Sequence, residues 1–80
     1  MQFQPGTRYR FRPRPGKYTQ TPAALEYHTR TLIFIRDKRG AWKSTGQRVI
    51  HHIFQWRSGA LECFTDEQAG DYLITEAGRR

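Results

Sequence analysis

Residues 8–17, RYRFRPRPGK, place Arg8, Arg10, Arg12 and Arg14 at every second position, with Tyr9 and Phe11 between them. In an extended strand, residues i, i+2 and i+4 share one face and lie about 6.6–7 Å apart. Arg8, Arg10 and Arg12 therefore form a straight row. Successive phosphates along one nucleic-acid strand have a comparable spacing, and a guanidinium engages phosphate in a bidentate fashion that an ammonium cannot. The competing explanation is a solvated edge strand, where charge discourages edge-to-edge pairing. Lysine is the usual residue for that purpose, and all four here are arginine. Lys17 and Tyr18 follow directly and extend the basic, aromatic stretch.

A second basic cluster surrounds Trp42: Arg36, Lys38, Arg39 and Lys43. A tryptophan among cations is a candidate stacking platform for a nucleobase, although an indole in so small a chain can equally fold over the core. His28, His51, His52 and Cys63 are the soft metal ligands. His51 and His52 are adjacent in an apolar stretch and would point to opposite faces of a strand. No CxxC or HxxxH spacing occurs, so no metal and no cofactor is expected. Cys63, between Leu61 and Thr65, reads as an inward-facing, unreactive core residue. No nucleophile stands beside a base at motif spacing, and no catalytic residue is assigned.

Eighty residues make one domain, 1–80, which buries only about 60–65% of its unfolded surface. Eleven aromatic residues compensate, because each ring removes a large area from water. Mean hydropathy is −0.86. The net charge of +7 is unevenly placed. Residues 1–57 hold 12 Lys/Arg against two acids, and residues 58–80 hold two Arg against five acids. So polarised a chain has one strongly electropositive part that attracts polyanions. A single cysteine and the lack of a long apolar run imply a reducing, cytoplasmic setting and no membrane; with no catalytic residue assigned, no small-molecule substrate is expected.

The arginine row needs strands to hold it. TRYRFR (7–12) alternates strictly and reads as a strand with Tyr9 and Phe11 inward. A long connection follows, in which Thr21 and Pro22 can open one helical turn. YHTRTLIFIR (27–36) is the clearest strand, DKRG (37–40) a turn, RVIHHIFQW (48–56) a third strand, RSG (57–59) a tight hairpin and ALECFT (60–65) a fourth strand. TDEQAG (65–70) carries capping-box spacing and reads as a short helix or 3₁₀ turn. DYLIT (71–75) is a last strand, with residues 76–80 fraying and the ordered core spanning about 7–75. One amphipathic helix over 65–75 is the alternative for that stretch.

Strand, long loop, strand, strand, tight hairpin, strand, short turn, strand: this order resembles the SH3-like small β-barrel over residues 7–75. The resemblance implies a mainly β fold of about five strands. The acidic first loop and paired tryptophans of peptide-binding SH3 domains are missing, and the first loop is basic. A three-stranded sheet packed on one helix is the second architecture. Together these features lead to a small, basic, regulatory binding protein of a kind common among phages and mobile elements. Its partner is nucleic acid, DNA or RNA, gripped through Arg8, Arg10, Arg12, Arg14, Lys17, Tyr18, Arg36, Lys38, Arg39, Trp42 and Lys43. The alternative partner is an acidic protein surface met by the same face.

Overall fold

The alternation of TRYRFRP is realised in full by strand β1 (Thr7–Pro13), where Thr7, Tyr9, Phe11 and Pro13 are buried and Arg8, Arg10 and Arg12 are exposed. The computed structural model describes residues 2–16, 21–41 and 44–79, with Tyr27 and Arg79 described by backbone alone. Helix α1 (Pro22–His28) starts as expected: the Thr21 hydroxyl accepts from Ala24 N–H at 3.2 Å, and Pro22 occupies the first turn. It then runs through Tyr27 and His28, because Ala23, Ala24, Leu25 and Glu26 are good helix formers. The strand expected from Tyr27 thus begins three residues later.

Strand β2 (Arg30–Ala41) is also longer than expected. It continues through the presumed turn at 37–40, because strand β3 (Arg48–Gln55) pairs with it from Ile33–Gln55 to Ala41–Arg48 and satisfies its backbone groups. A register shift between Phe34 and Arg36 interrupts the ladder. Gly59, at φ 95, closes the turn into strand β4 (Leu61–Phe64). Helix α2 (Asp66–Ala69) carries both halves of a capping box: Thr65 Oγ1 accepts from Gln68 N–H at 3.2 Å, and Gln68 Oε1 accepts from Thr65 N–H at 3.0 Å. Strand β5 (Tyr72–Arg79) ends the chain, so residues 76–79 belong to the sheet instead of a tail. The single helix over 65–75 does not form.

The fold is mainly β: one antiparallel sheet in the order β4-β3-β2-β1-β5. The three-stranded alternative is set aside. β1 is interior, paired to β2 and β5, and Pro13, which has no N–H to donate, stands at its last position. The sheet curls tightly. β4 and β1 are three strand spacings apart, about 14 Å in a flat sheet, yet the Phe11 and Phe64 rings stack at 5.0 Å. Phe64 of β4 also meets Tyr72 of β5 at 5.9 Å, so rings from the two edges touch across the concave side while the edges are not paired through their backbones. Phe3, upstream of β1, completes this core against Tyr9, Phe34 and Phe54.

The expectation for Cys63 is overturned: it is exposed. Phe64 faces the core and Glu62 turns the same way to meet Arg30, so the alternation sends Leu61 and Cys63 outward. Two outcomes follow. Phe54→Ala removes the ring that touches Phe3, Tyr9, Phe11, Phe34 and Phe64. It should cost about 3–5 kcal/mol by denaturant unfolding; a loss under about 1 kcal/mol would show that the concave ring cluster does not hold the sheet. Cys63 in the native protein should react with a thiol reagent almost as fast as in denaturant, and Cys63→Ala should change stability by no more than about 0.5 kcal/mol.

Candidate nucleic-acid interface

The register sorts the basic residues onto two sides of the sheet. Arg8 pairs with Ile33 and Gly78, Arg10 with Thr31 and Thr75, and Arg12 with Leu73. No carboxylate stands directly across from any of the three. On β2, Phe34 opposes Phe54 in the core, and the register shift then sets Arg36 opposite Ile53 and Lys38 opposite His51. These two share the side of Arg8, Arg10 and Arg12, because Asp37 and His52 between them face inward. Going from Arg12 to Arg8 and on to Arg36 and Lys38, the cations follow one another along the strand direction, crossing from β1 to β2. All five are exposed. Among the described residues none of their side chains forms an ion pair or hydrogen bond. Gly78, across from Arg8, has φ 119, a backbone conformation that glycine adopts without strain.

The remaining expected residues lie elsewhere. Arg14 is exposed beyond the end of β1, and its Nε donates to the Gly70 carbonyl at 2.7 Å, an interaction that fastens the start of the first loop beside α2. Arg39 falls on the opposite side from the row. It lines a cleft of about 520 Å³ with Arg48, facing Thr65, Asp66 and Glu67. Lys17, Tyr18, Trp42 and Lys43 lie outside the described residues.

Two charged constellations escaped the sequence reading. Arg30 points into one end of the curled sheet, within 5.6 Å of the Trp56, Phe64 and Tyr72 ring centres. It pairs with Glu62 at 2.9 Å and donates to the Tyr72 hydroxyl at 3.2 Å. The cue was available in principle, because Arg30 is a lone cation at an inward position of an apolar strand. The second is His52, 2% exposed. Its Nδ1 lies 2.6 Å from Asp37 Oδ1 and its Nε2 lies 2.6 Å from Asp66 Oδ1. Each nitrogen donates to its carboxylate only when the ring carries both protons. With both nitrogens engaged and the ring buried, His52 ties α2 to β2 and offers no free nitrogen for proton transfer. No local pattern announces this triad, whose members are 14 and 15 residues apart. The described residues contain no group of three or more His, Cys, Asp and Glu placed to hold a metal ion, and no helix among them is long and apolar enough to cross a membrane.

Comparison with protein-family models, with curated proteins and with solved structures finds no match.

The His52 hydrogen bond, reinforced by the charge of the ring, holds the Asp66 carboxyl below the usual carboxylate range, against a smaller opposing effect of burial. A depressed carboxyl adds stability above its unfolded pKa of about 3.9 and loses that stability as pH falls through the lower folded value. The midpoint of thermal unfolding should therefore drop between about pH 5 and pH 2, and drop less steeply in Asp66→Asn. Parallel acid limbs in the two proteins would remove the His52–Asp66 pair from the account of acid stability.

Proposed function

We propose that this chain is a small, non-catalytic nucleic-acid-binding protein that grips phosphates through the outer face of its sheet. The observation that carries this reading is the interior position of β1. Arginines on an edge strand protect that edge; β1 has neighbours on both sides, so Arg8, Arg10 and Arg12 have no edge to protect. Three like charges repeated along one strand repel one another, and no carboxylate stands directly across from them in the sheet. An external polyanion supplies the missing counter-charge. Arg36 and Lys38 continue the same line. The proposed scaffold is an SH3-like small barrel, supported by the β1–β4 meander, the return of β5 to pair with β1 and the short helical turn before β5. The proposed setting is the cytoplasm, and the proposed role regulatory.

Affinity in such a protein comes chiefly from counterion release and falls steeply with salt. The test is fluorescence anisotropy with labelled nucleic acid across a salt series. Arg8→Ala with Arg10→Ala should lower the slope of log K against log salt by about one per residue removed. Arg8→Glu with Arg10→Glu should weaken binding by at least about tenfold while leaving the unfolding midpoint nearly unchanged, because exposed charges contribute little to stability. A folded reversal variant that binds as well as the native chain would take the row out of the mechanism. A folded native chain that binds no nucleic acid at low salt would redirect the face to an acidic protein surface.

A further inference from the structure

The placement of the aromatic rings carries the proposed function one step further, and the step rests on that reading. We infer that the ligand of the outer face is double-stranded nucleic acid, held by its sugar–phosphate backbones without regard to base sequence. All five phenylalanines, with Tyr9 and Tyr72, are in the concave core, and Trp56 packs against it. Every described side-chain ring of Phe, Tyr or Trp is thus committed to the inside. Binding of single strands draws much of its energy from bases stacked on exposed rings, and among the described residues the outer face offers no Phe, Tyr or Trp ring, only the half-buried imidazole of His51.

For contacts made by the described cations, affinity follows the density of phosphate charge. A duplex presents one charge per about 1.7 Å of axis, against about 3.4 Å for each of its strands. The same five cations therefore meet a stronger field on a duplex. Base reading is opposed by shape. The major groove is about 12 Å wide and admits a helix or a two-stranded ribbon. β1 is flanked by β2 and β5 in a body measuring 38 × 30 × 21 Å. So broad a surface rests on the phosphate rims and does not lower its arginines to the base edges. The side chains across from the row, Thr31, Ile33, His51, Ile53, Leu73 and Thr75, include no amide or carboxylate for paired hydrogen bonds to adenine or cytosine.

The experiment measures binding of the full chain to two unrelated duplexes of about 20 base pairs and to an unstructured oligothymidine of equal length, at matched salt. The duplexes should bind at least about tenfold more tightly than the single strand and should agree with each other within about threefold. Equal or tighter binding of the single strand overturns the inference. If that preference disappears in Trp42→Ala, stacking lies at Trp42 and the proposed function survives without the duplex. A difference beyond about tenfold between the two duplexes also overturns it, since it requires reading of sequence. The Arg8→Glu, Arg10→Glu variant runs alongside; unchanged duplex binding by this folded variant defeats the proposed function and the inference together.

Discussion

Phe54 sits where the curl of the sheet is decided. Its ring lies 5.0 Å from both Phe3 and Phe11, 5.3 Å from Phe34 and 5.8 Å from Phe64. Those partners come from the N-terminal segment and from β1, β2 and β4. A flat five-stranded sheet leaves one face of rings open to water. The described residues supply no second layer large enough to cover it, since α1 and α2 span only seven and four residues. Curling the sheet onto its own rings is the remaining way to bury them. Edge-to-face geometry dominates the cluster, which suits the quadrupoles of the rings and contributes beyond the area buried.

That constraint also writes the outer face. Strand side chains alternate, so each ring committed inward sends its neighbours outward. Tyr9 and Phe11 inside place Arg8, Arg10 and Arg12 outside in register, on a strand held on both sides. The proposed phosphate-binding row is therefore as rigid as the core behind it. Its side chains project from an interior strand and not from a loop, and such placement holds a contact array in fixed spacing.

The charges inside the fold answer a different need. Arg30 closes one end of the curl among Trp56, Phe64 and Tyr72, and Glu62 neutralises it. His52 lies under α2 between two carboxylates that are themselves half or more exposed. A buried polar or charged group left without a partner is costly, and removing one member of such a pair exposes the other to that cost. Both groups bridge elements distant in the chain, so they fix how β4 and α2 sit on the sheet. They also account for the inverted phase of β4: Glu62 turns in to meet Arg30, and Cys63 turns out.

Local pattern was enough to determine much of this protein. The alternation of residues 7–12, the Thr21–Pro22 helix start, the hairpin at 57–59 and the Thr65–Gln68 capping box all depend on residues within a few positions of one another, and all were legible in the chain. The charge polarity and the row of arginines on one face of β1 belong to the same class. The tertiary structure decided everything that needed a partner far away. β2 extends through Asp37–Gly40 because β3 is there to pair with it, although the same four residues alone resemble a turn. Phe64 entering the ring cluster, with Glu62 meeting Arg30 on the same side, sent Cys63 outward against its apolar preference. His52 found Asp37 and Asp66 only once β2, β3 and α2 were assembled. Which of Lys38 and Arg39 faces outward was decided by the register shift between Phe34 and Arg36, which no short window contains. Local propensity is set by covalent neighbours; phase, pairing and charge partnership are set by the free energy of contacts that exist only after the chain has closed on itself.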